Sequence, residues 1–244
     1  ELAISSAGVL AFVSAPDYET KTSYTATVTA SDGINETTQE IIINITNIND
    51  NTPSFTSDIN FSAEENQTSI GNVNAIDADG DEIIYAMTGE DSSQLNIDTS
   101  SGLLSFKNTP NYETKSTYKI SITISDGQYG VTKDFVVNII DVNDSPTIGL
   151  SSKNINENNM TISNVNASDE DSDTLSYSLS GGNDVDLFLI STSGDLSFTS
   201  PQDYEDPSDI NKDNSYDVEV TVTDSFLITK KTITITVLNI NDNK

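Results

Sequence analysis

The stretch Asn47-Ile48-Asn49-Asp50-Asn51-Thr52-Pro53 closes one run of alternating residues and opens the next. It recurs as Asp141-Val142-Asn143-Asp144-Ser145-Pro146 and again as Asn239-Ile240-Asn241-Asp242-Asn243. Asp50 to Asp144 is a step of 94 positions, and Asp144 to Asp242 is a step of 98. Other markers keep nearly that stride: Glu19, Glu113 and Glu205 each follow a tyrosine, while Asp32, Asp126 and Asp224 each end an alternating run. Self-similarity at a fixed period is the mark of a tandem array in which each copy is one folding unit.

Between these recurrences the apolar residues fall at period two. Tyr118-Lys119-Ile120-Ser121-Ile122-Thr123-Ile124 alternates almost without fault, which puts Tyr118, Ile120, Ile122 and Ile124 on one face of a strand and predicts that this face is buried. Phe135, Val137 and Ile139 supply a partner strand, and Tyr216, Val218, Val220 and Val222 with Ile233, Ile235 and Val237 repeat the pair. Shorter strands are predicted over Ser62 to Glu65, Ile70 to Ile76 and Ile83 to Met87. No stretch has a helical apolar stripe. The expected class is all-β, as tandem seven-stranded Greek-key (immunoglobulin-like) sandwich modules. The expected bounds are 1–51 for the latter part of one module and 52–145 and 146–244 for two complete ones. The first lacks its opening strands, so it is expected to expose sheet edges and half a core, or to be completed by another chain in a strand-complemented dimer.

The 244 residues are too many for one sandwich of about 100 residues and fit two with a remainder. Acidic residues number 39 against 10 basic ones, a net charge of −29, and a field of that sign repels nucleic acid and anionic lipid. The chain has no cysteine and no histidine, which removes disulfide frames, thiolate zinc sites and the Ser-His and Cys-His relays of hydrolases. No run approaches the ~18 apolar residues of a membrane helix. The start Glu1-Leu2-Ala3-Ile4 lacks the basic and apolar regions of a secretion signal, so the chain is expected to be an excerpt of something longer.

Calcium is a hard cation that takes ~6–8 oxygens, so a site needs several carboxylates, amides and carbonyls converging from loops. The recurrent acidic groups lie where loops gather: Asp17-Tyr18-Glu19 between strands, Asn49-Asp50-Asn51 at the exit of one module, and Asp77-Ala78-Asp79 with Asp126 at the near pole of the next. That distribution favours metal binding over mere solubility.

Glu-Asn on the first strand, Asp-x-Glu in mid-module, Asp-x-Asn-Asp-Asn-x-Pro at the exit, Asp-x-Asp early in the next module and a late Asp-Gly together resemble cadherin repeats, especially those of bacterial surface proteins. The resemblance covers the whole chain. It implies calcium as the bound ion, three per complete junction. The first junction would use Asp17, Glu19, Asn49, Asp50 and Asn51 from one side and Asp77, Asp79 and Asp126 from the other. The second would use Glu65, Asn111, Glu113, Asn143, Asp144 and the backbone carbonyl of Ser145, with Asp169, Asp171 and Asp224. Glu157, Asp203, Glu205, Asn241, Asp242 and Asn243 would form half of a third. Asn111 stands where the family has aspartate, and Asp144-Ser145-Pro146 is one residue shorter than Asp50-Asn51-Thr52-Pro53. The second junction is therefore expected to bind more weakly or to hold fewer ions than the family norm, and the first, without the glutamate of the missing strand, to leave the sites nearest the half-module empty or completed by water.

Asp77-Ala78-Asp79-Gly80-Asp81 and Asp169-Glu170-Asp171-Ser172-Asp173 imitate the start of an EF-hand loop, but position 12 holds Thr88 and Ser180 in place of glutamate. The insertion around Asp209-Ile210-Asn211-Lys212-Asp213 fails the same test at Val220 and reads as a solvated loop. Tyr18, Tyr112 and Tyr204 are expected to pack across the module end and hold the ligand loop. Paired carboxylates could suggest glycoside hydrolysis, yet the ligand role accounts for them and no enzyme is expected. The expected function is an extracellular or cell-surface segment for adhesion or spacing, stiffened by calcium, with a protein partner, homophilic or heterophilic. The alternative is a carbohydrate-binding accessory module with a polysaccharide partner. Nucleic acid and membrane insertion are not expected.

Overall fold

The computed structural model describes residues 1–241. Residues 1–50 carry β1 (Leu2–Ile4), β2 (Leu10–Phe12), β3 (Ser23–Ser31) and β4 (Glu36–Asn44). The middle copy follows with β5 (Ser54–Phe55), β6 (Asn60–Glu64), β7 (Ser69–Asn72), β8 (Ala75–Ile76), β9 (Ile84–Thr88), β10 (Leu95–Ile97), β11 (Leu103–Phe106), β12 (Thr117–Ser125) and β13 (Gly130–Ile140). The last copy has β14 (Thr147–Ile148), β15 (Ser152–Asn156), β16 (Thr161–Asn164), β17 (Ala167–Ser168), β18 (Ser176–Gly181), β19 (Phe188–Ile190), β20 (Asp195–Phe198), β21 (Ser215–Thr223) and β22 (Ile228–Leu238). The only helical pieces among the described residues are two short 3-10 turns, Ser92–Gln94 and Val185–Leu187. The chain divides into two compact units, Glu1–Ile140 and one that begins at Asp141.

The middle copy is a sandwich of a four-stranded sheet in the order β6-β13-β12-β9 and a three-stranded sheet in the order β10-β11-β7, with the small pair β5-β8 at one end. The last copy repeats this as β15-β22-β21-β18, β16-β20-β19 and β14-β17. In both, the first long strand runs parallel to the last one: β6 beside β13 and β15 beside β22. That parallel pair is what turns a meander into a Greek-key closure, because the chain must cross between sheets before it returns. The expected all-β, seven-stranded plan is the observed one.

Period-two burial does what the alternation predicts. Tyr118, Ile120, Ile122 and Ile124 are 5% exposed or less, and Phe135 and Val137 opposite them are fully buried. In the last copy Tyr216, Val218, Val220, Val222, Ile233 and Ile235 are fully buried. Each such side chain contributes about 1.5–3 kcal/mol of transfer free energy. An edge-to-face Phe-Tyr contact recurs at one structural position: Phe12–Tyr24 at 4.9 Å between ring centroids, Phe106–Tyr118 at 4.9 Å and Phe198–Tyr216 at 5.1 Å. Residues 1–50 have the same strands in the same pairing, but none of them is buried. Their strands pair only as β1 with β2 and β3 with β4.

The stretch Ile70 to Ile76, expected as one strand, is two. β7 pairs with β11 and β8 pairs with β5, so the chain changes sheets at Val73. Val73 is fully buried, and its N–H donates to the Gly102 carbonyl at 2.9 Å. Gly102 has φ +70°, and a Cβ there would lie 2.3 Å from the Val73 oxygen, so only glycine fits the crossing.

Candidate metal centre

In the first unit, loops from residues 1–51 and from the middle copy bring carboxylates together. One oxygen each from Glu19, Asp50 and Asp79 lies within 4.8 Å of the others, and so does one each from Asp77, Asp79 and Asp81. Asp79 is the hub. Its Oδ2 accepts the N–H groups of Asp50 at 3.1 Å and Asn51 at 2.8 Å, and its Oδ1 accepts the Asn51 amide at 2.8 Å. The Asn47 amide donates to the Asp79 carbonyl at 2.8 Å. Asp77 Oδ1 accepts the N–H groups of Asp79 and Asp81 at 3.0 and 3.2 Å, which curls the loop that follows β8. Asp126 Oδ1 closes the β12–β13 hairpin by accepting N–H from Gln128 at 2.7 Å and Tyr129 at 2.6 Å.

In Asp77 and Asp126 one carboxylate oxygen shapes the loop, and the other decides the chemistry. Asp77 Oδ2, Asp126 Oδ2 and Asn49 Oδ1 are buried with no hydrogen-bond partner, as is Asp169 Oδ2 in the second unit. A buried acceptor without a donor is costly, and anionic ones together call for a cation. The donor set is oxygen alone, which suits a hard ion such as calcium and excludes a site for soft metals. The residues fit calcium.

The titration of the cluster agrees. Loss of hydration, then the neighbouring Asp17 and Asp79 carboxyls, hold Glu19 above the usual carboxylate range. The Asn51 amide, against some loss of hydration, holds Asp79 below it. Two facing carboxylates whose affinities for protons split in this way repel each other when both are ionised. Burial pushes the Asp126 carboxyl up, but the Tyr129 and Gln128 N–H groups outweigh it and leave the group low. Asp17 is also low, because the Thr20 N–H and hydroxyl donate to it, and it serves its own turn.

Residues expected at the second junction fall in two separate units, and each half is ordered in itself. In the first unit Glu65 is 2% exposed, and its Oε2 accepts the Tyr112 N–H at 2.8 Å. Asn111 Oδ1 accepts the Thr114 N–H at 2.7 Å, the turn-forming bond that Asp17 makes to Thr20, so the loss of charge leaves the turn intact. Glu113 is exposed. In the second unit the Asp144 N–H donates to Asp171 Oδ2 at 2.6 Å, the counterpart of Asp50 on Asp79. The Asn143 amide donates to Asp224 Oδ2 at 2.9 Å, which fills the oxygen that its counterpart Asp126 leaves open. Ser145 is exposed.

At the far end of the second unit, one oxygen each from Glu157, Asp203 and Glu205 lies within 4.8 Å of the others. Glu157 is 1% exposed and accepts N–H from Tyr204 at 2.9 Å and Ile240 at 2.8 Å. The Asn241 N–H donates to Asn239 Oδ1 at 2.8 Å, while Asp242 and Asn243 lie outside the described residues.

Two expectations are refined. Tyr112 and Tyr204 hold the ligand loop through their backbone N–H groups on Glu65 and Glu157, while the residues themselves are 37% and 38% exposed. The insertion in the last copy is not a solvated loop at its centre. Asp209 is 2% exposed, and both its oxygens accept backbone N–H, from Asp213 at 2.8 Å and Asn214 at 3.2 Å. Sequence reasoning also passed over two carboxylates. Asp81 joins the Asp77–Asp79 group, and its signal was the Asp-x-Asp-x-Asp spacing, dismissed with the EF-hand template. Asp141 stands where the other copies have Asn47 and Asn239, and with Asn143, Asp171 and Asp173 it lines an acidic depression of the second unit.

A cadherin-domain family model matches residues 59–140, from the residue before β6 to the end of β13. The chain is built of cadherin repeats. It is 31% identical over 256 residues to human Protocadherin Fat 4, an alignment covering 93% of this chain and 5% of that protein. It is 29% identical over 211 residues to mouse Cadherin EGF LAG seven-pass G-type receptor 1, covering 78% and 7%. The chain thus spans 5% of the length of human and mouse Protocadherin Fat 4 and between 4% and 25% of the other relatives. Among solved structures it resembles human protocadherin-24 EC1-2, with a TM-score of 0.54, 21% identity, and coverage of 78% of this chain and 99% of that one. It also resembles mouse cadherin-23 EC22-24, with a TM-score of 0.52, 22% identity, and coverage of 98% and 82%. At those identities the structural likeness carries the fold alone. Cadherin repeats are extracellular or cell-surface modules, and this segment is placed with them. Among the described residues no helix is long and apolar enough to cross a membrane.

Proposed function

We propose that these cadherin repeats bind calcium at their poles and serve as an extracellular adhesion or spacer segment whose first two modules are held together by the ion. The module bounds of this reading are 1–51, 52–145 and 146–244. The observation that carries it is the set of buried oxygens without donors, Asn49 Oδ1, Asp77 Oδ2 and Asp126 Oδ2, contributed from both sides of the linker around Asp50. Calcium bound there would offset the negative charge that Glu19, Asp50 and Asp79 bring together. Without it, the chain's own bonds from Asp50, Asn51 and Asn47 to Asp79 are what tie the first module to the second. The half-sets around Glu65 and Glu113, around Asp144, Asp171 and Asp224, and around Glu157, Asp203 and Glu205 repeat the same chemistry.

Partners of the adhesive kind are proteins, homophilic or heterophilic. No observation favours a polysaccharide: Tyr129 and Phe226 are exposed side chains at the tips of the β12–β13 and β21–β22 hairpins. Isothermal titration with calcium, with scattering in EGTA and in millimolar calcium, tests the proposal. Binding heat at several sites and a calcium-dependent scattering profile are expected; absence of both refutes it.

A further inference from the structure

The last copy leaves open a sheet edge that the middle copy closes. β9 and β18 are outer strands of the two four-stranded sheets, and they share a register: Tyr85 lies opposite Ile124, and Tyr177 lies opposite Val222. In an antiparallel ladder every second residue turns its N–H and C=O away from its neighbour. In the middle copy the Tyr85 N–H points off the edge and donates to the Thr99 carbonyl at 2.9 Å, so the turn after β10 caps the strand. That turn is one residue shorter in the last copy: residues 98–103 separate Ile97 from its partner Leu104, and residues 191–195 separate Ile190 from Leu196. The longer turn closes by the Gly102 N–H on the Asp98 carbonyl at 3.0 Å, and the shorter by the Gly194 N–H on the Ser191 carbonyl at 3.1 Å. Among the described residues no carbonyl of the tighter turn takes the Tyr177 N–H.

The open strand lacks what normally keeps sheet edges apart, namely charge, proline or a bulge within the exposed stretch. β6 carries Glu64 and β15 carries Lys153, whereas β18 reads Ser176-Tyr177-Ser178-Leu179-Ser180-Gly181. Its one irregularity, between Leu179 and Gly181, comes at its end. Charged residues make up 20% of the chain, yet none falls in 174–183 or in 187–194, where Gly194 lies against the Tyr177 ring. The Glu219 carboxylate on the adjoining β21 is occupied by the Ser180 hydroxyl and the Lys230 ammonium. Ser176, Ser178 and Ser180 are exposed, while Tyr177 and Leu179 are half-buried at the rim of the core.

We propose that β18 is a strand-addition site for a second copy of this chain, the two β18 strands pairing antiparallel about a two-fold axis at Ser178 and joining two four-stranded sheets into one. The register is self-complementary. Tyr177 of one copy faces Leu179 of the other, and each such pair exchanges the N–H and C=O groups that both residues turn off the edge. The same pairs cover the half-buried rim of each core. On the outer face Ser176 meets Ser180, and Ser178 meets Ser178. A second copy fits for a further reason: a molecule of net charge −29 repels itself, and at this edge two copies approach with no carboxylate on either strand. The inference rests on the homophilic half of the reading above and not on calcium.

Sedimentation of the full chain from low micromolar to near-millimolar concentration, in calcium and in EGTA, tests it. A monomer–dimer equilibrium is expected in both, with amide exchange at Tyr177 and Leu179 slowing as the dimer forms. Tyr85, capped within its own module, should be protected at every concentration. Ser178→Lys sets like charges against each other at the axis and should weaken the dimer roughly tenfold or more. Ser178→Glu should do the same, and mixing the two variants should restore pairing, as only a two-fold contact at Ser178 requires. Inserting one serine after Thr192 restores the turn length of the middle copy; it should protect the Tyr177 amide in the monomer and weaken the dimer. Unchanged protection at Val220 and Val222 reports that each variant is folded. The proposal is overturned if the chain stays monomeric in both conditions, if a dimer forms without slowing exchange at Tyr177 and Leu179, or if the Lys and Glu variants dimerise as well as the parent. A chain that binds no calcium yet dimerises at Ser178 sinks only the calcium reading, and one that binds calcium but stays monomeric sinks only this one.

Discussion

Asp77→Asn separates a calcium ligand from a loop-forming residue. Asp77 does both jobs with different atoms: Oδ1 accepts the N–H groups of Asp79 and Asp81, while Oδ2 is buried without a donor. An unpaired buried acceptor costs about 1–3 kcal/mol, more when it is charged. Asparagine keeps the loop-forming oxygen and removes a negative charge from a group that also holds Asp79 and Asp81. In EGTA the variant should therefore melt at the same temperature as the parent or slightly above it. Calcium at about 100 times its dissociation constant adds about 2.7 kcal/mol to the parent through linkage, which raises the melting temperature of a module this size by roughly 10–20 °C. In calcium the variant should lose at least half of that gain. Differential scanning calorimetry in EGTA and in calcium at about 100 times its dissociation constant reads both arms. If Asp77→Asn lowers melting equally in EGTA and in calcium, Asp77 only shapes the loop and the reasoning from its free oxygen fails.

Other consequences are more local. Asp91, 3% exposed, accepts the Lys119 N–H at 2.8 Å and pairs with the Lys115 ammonium; burial pushes its carboxyl up, but Lys115 and the Lys119 N–H together hold it low. Lys115→Met should cost about 1–2 kcal/mol, discounted because the lysine is still partly in water. Since the Asp91 carboxyl is lower in the folded state than unfolded, its contribution is present above about pH 3.9 and is lost as pH falls through the folded value, so acid titration of stability should be shallower in the variant. Glu157→Ala removes the acceptor for two backbone N–H groups and should cost roughly 2–4 kcal/mol in urea unfolding of the second unit even in EGTA, whereas Glu157→Gln should cost much less. Gly102→Ala drives a Cβ to 2.3 Å from the Val73 carbonyl at a positive φ and should cost about 2–5 kcal/mol by the same measurement, with no dependence on calcium.

The long strands were legible because their signal is local. Tyr118 to Ile124 alternate, and a strand that alternates has only one face to bury. The short strands were less so: nothing within Ile70 to Ile76 announces that Val73 crosses between sheets, because the Gly102 carbonyl that anchors it lies 29 positions on (102 − 73). The carboxylates at the poles could be picked out by recurrence, but recurrence cannot divide one carboxylate into an oxygen that builds a turn and an oxygen left for a ligand. That division, seen at Asp77 and Asp126, exists only once the backbone N–H groups are placed. Asp81 was lost for the opposite reason: its spacing matched a helix-loop-helix template, and failing that template says nothing about a loop between strands.

The buried aspartate before the 3-10 turn shows how one repeat solves a problem twice. Asp91 and Asp184 hold the same place, each receiving one backbone N–H from the long strand that follows, from Lys119 and Asp217. The remaining oxygen needs a second donor. In the middle copy Lys115 reaches it as an ammonium. The last copy has no lysine there, and the insertion supplies the donor instead: the Ile210 N–H lies 2.9 Å from Asp184 Oδ1. Asp209 turns the loop onto that contact by accepting the Asp213 and Asn214 N–H groups, and the Ser208 N–H donates to the buried Tyr216 hydroxyl at 3.2 Å. The acidic run that imitates a calcium loop is thus satisfied by its own backbone, with both Asp209 oxygens committed. The carboxylates available to a cation are those at the module poles, where at Asp77, Asp126 and Asp169 an oxygen is left over.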